Sequence, residues 1–209
     1  MKPTPQHHFS NLTIGVLELQ GDFAEHTAML RRCGAGKVTG VRETHHLQHI
    51  DALVIPGGES TVISKLLVDL KLMQPIQKLV AENALPVFGT CAGCILLAAQ
   101  IKQRNEQARI GVLDVVVDRN AYGSQIHSFE VHLRSNRLPF IDAPPLRAVH
   151  IRAPAIVHVG ERVDVLATFN HTPVLVRQGN ILACTFHPEL TEDTRIHKLF
   201  LEMVAQHKR

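Results

Sequence analysis

Over roughly its first hundred residues the chain alternates short apolar runs with amphipathic helical segments, and glycines stand at many of the junctions. Strands joined through helices return to their neighbours in parallel, because a parallel pair needs a crossover rather than a hairpin. This alternation therefore predicts a parallel, doubly wound sheet. TIGVLEL at 13–19 is β-branched and apolar, QGD interrupts it, and FAEHTAMLRRCG has helical spacing closed by Gly34. Lys37–Val41 and ALVIP at 52–56 read as the next strands, the second buried on both faces because it barely alternates. GGES and the amphipathic TVISKLLVDLKL follow. Pro75 suits the first turn of a helix through Asn83, PVFG at 86–89 reads as a fourth strand, and a helix is predicted over Ala92–Ile101.

After about residue 110 the texture changes. GVLDVVVDR, SQIHSFEVHLR, LRAVHIRAP, VDVLATF, TPVLVRQ and NILACTF are strand-like runs joined by Asn, Pro and Gly turns, before a closing amphipathic helix in DTRIHKLFLEMVAQH. The second half is expected to add mainly antiparallel strands to one domain spanning 13–209, with 1–12 as a flexible N-terminal extension. A chain of 209 residues can bury a single substantial core.

Composition excludes several classes of function. The net charge of +3 comes from scattered Lys and Arg, with no basic stripe to track a phosphate backbone, so no nucleic-acid partner is expected. No apolar run approaches the ~18 residues of a membrane span, and MKPTPQHHFSNL lacks a signal-peptide core, which points to the cytoplasm. Four cysteines at 33, 91, 94 and 184 are too few for a disulfide scaffold and read as free thiols. His45, His46 and His49 cluster in sequence but read as a solvated loop, and no metal or other cofactor is expected.

PVFGTCAGCILLAA at 86–99 concentrates the chemistry. Cys91 and Cys94 have the spacing of a redox pair, or of half a zinc site, although no second Cys-x-x-Cys completes four ligands. Gly89-Thr90-Cys91-Ala92-Gly93 is also G-x-C-x-G, the thiol form of a nucleophile elbow, in which a strained turn lifts one side chain out of the sheet and a helix N-terminus favours an anion. A thiol nucleophile needs a base and a group that orients the base. LACTFHPEL at 182–190 supplies His187 and Glu189, two apart in an extended segment and so on one side of it. Pro56-Gly57-Gly58-Glu59-Ser60 offers backbone N–H groups at another strand's C-terminal edge, and serves equally as a helix-capping turn with Ser60 or Thr61 at the N-cap.

GVLxLQGD at Gly15–Asp22, LVIPGGEST at Leu53–Thr61, FGTCAG at Phe88–Gly93, DRNAYG at Asp118–Gly123, HIRAP at His150–Pro154 and CTFHPELTED at Cys184–Asp193 occur in order from about residue 13 to 204. Together they resemble the glutaminase subunit of pyridoxal 5'-phosphate synthase, a branch of the class I (triad) glutamine amidotransferases. The resemblance implies a flavodoxin-like three-layer α/β/α fold and hydrolysis of L-glutamine to L-glutamate and ammonia through a cysteine thioester. It also implies that the ammonia passes to a synthase subunit in a large hetero-oligomer. By the same resemblance Cys91 is the nucleophile, His187 the proton carrier and Glu189 its orienting acid. The N–H groups of Gly58 and Ala92 form the oxyanion hole, and Gly58, Glu59, Ser60, Arg119, Ile151 and Arg152 bind substrate. Glu18 and Cys94 depart from the branch's pattern, where a small and an aliphatic residue are usual. Glu18 is expected to bear on the partner interface or on the loop carrying Gln20, and Cys94 to pack as a small apolar side chain. The alternatives are a glutaminase serving another acceptor, such as that of histidine biosynthesis, a decayed scaffolding subunit, and redox regulation through Cys91 and Cys94.

Overall fold

A computed structural model describes residues 9–103, 106–119, 128–140 and 143–208. Five strands form the parallel heart of a seven-stranded sheet: β1 (Thr13–Leu17), β2 (Lys37–Val41), β3 (Ala52–Ile55), β4 (Val87–Thr90) and β12 (Ile181–Cys184). Its order is β10-β11-β12-β4-β3-β1-β2, and β10 (Asp164–Phe169) and β11 (Thr172–Gln178) extend it in antiparallel pairing. Helices α1 (Phe23–Arg32), α2 (Ser60–Asp69), α3 (Met73–Ala81) and α4 (Ala92–Leu97) fall between the first strands, and α5 (Arg195–His207) closes the chain.

Period-two alternation splits each central strand between two cores. Leu53 and Ile55 of β3, Val87 of β4 and Ala183 of β12 pack toward α2, α3 and α4, whereas Val54, Phe88, Leu182 and Cys184 pack toward α1 and α5. Three α/β/α layers result. Every residue of β3, β4 and β12 is buried, which is why these runs read as continuous hydrophobic segments rather than alternating ones.

Two smaller sheets lie outside this frame. β5 (Ala98–Ile101), β6 (Leu113–Asp118) and β9 (Ala155–Val159) form one, with β5 and β6 parallel, and β7 (Ser128–Leu133) pairs antiparallel with β8 (Leu146–Ile151) in the other. The helix predicted over Ala92–Ile101 therefore ends at Leu97. Ala98 turns extended at φ −59° and ψ 139°, and the next residues gain partners along β6 that a longer helix would forgo. β9 has no counterpart among the predicted strands. The antiparallel expectation for the second half holds for β6–β9, β7–β8 and β10–β11–β12, but β12 itself runs parallel to β4.

Residues 1–8 of the predicted extension lie outside the described residues, as do 120–123 of DRNAYG and 124–127 of SQIHSFEVHLR. Within 9–12, Leu12 is buried in the α1/α5 core and the Phe9 carbonyl accepts from the N–H groups of Leu12 and Gly36. The histidine cluster forms a short 3-10 turn, Thr44–His49, in which the His46 ring accepts from the Arg42 and Glu43 N–H groups and so caps its own turn. No helix among the described residues is long and apolar enough to cross a membrane.

Candidate active site

The parallel strands deliver their carboxyl ends to one edge of the sheet, and the quoted motifs meet there. Cys91 stands between β4 and α4 with φ 46° and ψ −101°, a backbone conformation unusual for any residue but glycine, and its N–H donates to the Cys184 carbonyl across β12 at 2.9 Å. The elbow closes tightly because Gly93 has no side chain, for a Cβ there would overlap the Ile55 carbonyl at the end of β3. Cys91 is 5% exposed, and its Sγ faces the Ile151 carbonyl at 3.9 Å. β8 brings that carbonyl in, since the Val149 carbonyl two residues earlier accepts from the His187 N–H at 2.8 Å.

His187 leaves β12 in an extended turn, and Pro188 opens the short 3-10 turn Pro188–Leu190 that holds Glu189. The ring's Nδ1 lies 2.7 Å from Glu189 Oε1 and 3.2 Å from Asp22 Oδ2, which commits that nitrogen as the donor. Nε2 is buried and takes no part in the contacts with the two carboxylates, which leaves it as the nitrogen that can serve the Cys91 sulfur. Burial alone would depress the imidazole's pKa. Hydrogen bonding by Asp22, with contributions from Cys91 and Glu189, overcomes this and raises it to about 12. Burial also raises Glu189, against the lowering pull of His187. For this tightly coupled pair the direction that matters is the raised imidazole, because two carboxylates face one ring nitrogen.

The turn Gly57-Gly58 is wedged between His187 and the segment Gln20–Asp22. A Cβ on Gly57 would overlap the His187 ring, Gly58 adopts φ +152°, and the Gly57 carbonyl accepts from the Asp22 N–H at 3.2 Å. Glu59, not Ser60 or Thr61, caps α2. Its carboxylate accepts from the N–H groups of Thr61 at 3.2 Å and Val62 at 2.8 Å, while its own N–H donates to Gln20 Oε1 at 2.8 Å. The longer side chain can curl back over the first turn, so the helix begins one residue earlier than a Ser60 cap would allow. Ser60 is buried and accepts from Gln107.

Arg119 reaches this cap from the end of β6. Its guanidinium lies 3.1 Å from Glu59 and donates to Gln107 Oε1 at 2.7 Å and Thr61 Oγ1 at 3.2 Å. Burial acts to raise the Glu59 carboxyl, but the α2 N–H groups and the nearby Arg119 carry it below its ordinary value. Arg152 follows Ile151 with φ 43°. Ala92, the first residue of α4, has an N–H for which the helix supplies no acceptor. The structure thus draws Cys91, His187, Glu189, the Gly57–Ser60 turn and the Ile151 carbonyl to one edge, with Arg119 paired to Glu59 at its rim.

Asp22 and Gln20 belong to this edge although neither was expected to act there. Their signal was their place in the QGD break after the first strand, where a C-terminal strand edge opens. Cys94 is fully buried, its thiol pushed up to about 12 chiefly by burial. Among the described residues all four cysteines are free. Glu18 pairs with Arg42 at 3.0 Å above β2. A cavity of about 820 Å³ between Arg134, Arg137, Phe140 and Arg195 shares no residue with this edge.

An open α/β sheet with a cysteine on a strained strand-to-helix turn, and a histidine–carboxylate pair at the end of the adjoining parallel strand, is the architecture of a triad-type cysteine hydrolase. The chain belongs to the SNO glutamine amidotransferase family, whose sequence model matches residues 16–206. It is 52% identical over 191 residues to the pyridoxal 5'-phosphate synthase subunit PdxT of Pelotomaculum thermopropionicum, covering 91% of this chain and 94% of that one. With PdxT of Thermotoga maritima it is 49% identical over 195 residues, covering 92% of this chain and all of the relative. A crystal structure of a glutamine amidotransferase superposes with a TM-score of 0.85 at 48% identity, covering 91% of this chain and 98% of that one.

Proposed function

We propose that the chain is the glutaminase subunit of a pyridoxal 5'-phosphate synthase, acting in the cytoplasm as a single unit over 13–209. It hydrolyses L-glutamine and hands the ammonia to a synthase subunit in a larger assembly. The observation that carries the chemistry is the 2.7 Å contact between His187 Nδ1 and Glu189 beside a cysteine held at φ 46°. The acceptor pathway rests on the relatives named as pyridoxal 5'-phosphate synthase subunits.

Cys91 Sγ attacks the side-chain amide carbon of glutamine with its proton already carried on His187 Nε2, the protonated form that the raised imidazole favours. Glu189 keeps the other nitrogen protonated and offsets the imidazolium charge. The oxygen of the tetrahedral intermediate is held by the N–H groups of Gly58 and Ala92. His187 returns its proton to the departing nitrogen, the C–N bond breaks, and ammonia leaves a glutamyl thioester. Water, deprotonated by His187, then cleaves the C–S bond to give glutamate and regenerate the thiol.

Glu59, Ser60, Arg119, Ile151 and Arg152 bind the substrate, with a guanidinium suited to the α-carboxylate through two parallel hydrogen bonds. Because Arg119 already pairs with Glu59, the substrate's α-ammonium and α-carboxylate meet a salt bridge of opposite polarity that can open to both. Glutamate release by the full chain, with and without its cognate synthase subunit, is the test. Release from the wild type together with loss in Cys91→Ala supports the reading. Full turnover by Cys91→Ala in the complex overturns it.

A further inference from the structure

Behind Glu189, on the side away from His187, two histidines lie in the core with no part in the reaction as written. His26 of α1 and His197 of α5 are both fully buried, edge-on to the Phe88 ring, which helps to keep water from them. His26 Nε2 stands 3.0 Å from Thr90 Oγ1 and 3.4 Å from Glu189 Oε2, and His26 Nδ1 is 3.0 Å from His197 Nε2. Glu189 Oε2 and His197 Nδ1 are buried, and neither has a hydrogen-bond partner among the described residues.

These contacts select one tautomer. A bare His26 Nε2 could accept from the Thr90 hydroxyl, but its lone pair would also lie 3.4 Å from the unmet carboxylate oxygen of Glu189 in a fully buried site, a repulsion that the other tautomer turns into attraction. With the proton on Nε2, the N–H donates to Thr90 Oγ1 at 3.0 Å and sets its positive end 3.4 Å from Glu189 Oε2. Nδ1 is then an acceptor, which requires His197 to carry its proton on Nε2 and leaves its bare Nδ1 as the unpartnered atom. We propose that His26 is a positioning residue for the triad, holding the positive end of its Nε2–H beside Glu189 Oε2 and locked in that tautomer by His197. The proposal rests on the glutaminase reading, since it assigns His26 a role through Glu189.

Both rings are neutral through the working range. Burial, reinforced by His197 and His187, carries His26 well below its ordinary value, and burial carries His197 to about 3. Neither ring therefore titrates with the site. The groups that do face Glu189 or His187 are Asp22 of α1, Cys91 at the elbow, Cys184 of β12 and His150 of β8.

The test uses the full chain with its synthase subunit. His26→Leu removes the N–H beside Glu189, so the carboxylate loses a stabilising contact, and the acid limb of kcat/KM moves to higher pH by on the order of one unit. The same variant loses about 10- to 100-fold in kcat/KM. His26→Gln, whose amide N–H can reach the Nε2 position, restores most of that loss and returns the limb toward the wild-type value. An unmoved limb in His26→Leu, or no recovery in His26→Gln, overturns the proposal. Nitrogen-15 ring shifts of the wild type decide it without turnover or a mutant that must fold. Protonated Nε2 on both His26 and His197 supports it, and a proton on His26 Nδ1 overturns it. A wild type that releases no glutamate would count against the glutaminase reading instead.

Discussion

Asp22 Oδ2 lies 3.2 Å from Nδ1 of His187, on the same nitrogen that Glu189 engages at 2.7 Å, so one imidazole N–H faces two carboxylates. The donor and acceptor atoms of Asp22, His187 and Glu189 all fall within 4.8 Å of one another. Asp22 is the N-cap residue of α1 but caps no N–H with its side chain, which leaves the carboxylate for the ring.

The two acids are therefore expected to back each other up. Glu189→Gln should retain residual glutaminase activity that Glu189→Gln/Asp22→Asn loses, and the two effects should be non-additive because they act on one nitrogen. Asp22 is about a third exposed, so Asp22→Asn alone should cost only about 3- to 10-fold in kcat/KM. Strict additivity in a double-mutant cycle would show that Asp22 plays no part.

The same contact has a consequence for stability. His187 is raised from 6.5 to about 12, so its charged form contributes fully below pH 6.5, and the contribution fades as pH climbs toward 12. Asp22→Asn brings the folded value down and so shrinks the contribution. Urea midpoints measured from pH 6 to 10 should begin to fall at the same pH in both proteins, set by the unfolded imidazole, and level off earlier in the variant, whereas a variant that keeps falling as far as the wild type would contradict this.

Strain at the elbow predicts a trade between activity and stability. A non-glycine residue at φ 46° and ψ −101° costs on the order of 1–3 kcal/mol, whereas glycine adds only about 0.5–1 kcal/mol of chain entropy. Cys91→Gly should thus release no glutamate, yet melt at or above the temperature of Cys91→Ala. A lower Tm for the glycine variant would show that the cysteine side chain is itself stabilising.

Two glycine replacements separate crowding from backbone strain. Gly93→Ala puts a methyl group against the Ile55 carbonyl and should displace the elbow, with a loss of activity of at least about 100-fold. Gly34→Ala has open space around it and only an unfavourable φ of +91°. It should cost about 1 kcal/mol of stability by denaturation and leave kcat/KM unchanged.

Cys94 separates packing from redox chemistry. Its buried thiol stays protonated up to about 12, so it cannot readily resolve an oxidised Cys91. Cys94→Val should match the wild type both in turnover and in recovery from peroxide by a dithiol. Loss of that recovery would reinstate the Cys-x-x-Cys pair.

How far such features can be read in advance depends on how local their causes are. The strands around Val54, Phe88 and Leu182 were legible because burial on both faces demands uninterrupted apolar residues. Cys91 was legible because a strained turn flanked by glycines leaves a short pattern. The end of α4 at Leu97 was not, since Ala98–Ile101 suits a helix or a strand until β6 arrives to pair with it. The α2 cap, expected at Ser60 or Thr61, lies at Glu59 because that side chain outreaches theirs once Gln20 and Arg119 fix its surroundings.

The sequence by itself determined the layered architecture, the elbow and the histidine–glutamate pair, each encoded by residues within a few positions of one another. Only the tertiary structure decided that Asp22 shares the imidazole of His187, that the Ile151 carbonyl faces Cys91, and that His26 and His197, 171 positions apart, meet behind Glu189. The reason is physical. Periodicity and turn chemistry are written in neighbouring residues, whereas the partner of a buried charge is set by which distant elements the packed sheet brings within a hydrogen bond of it.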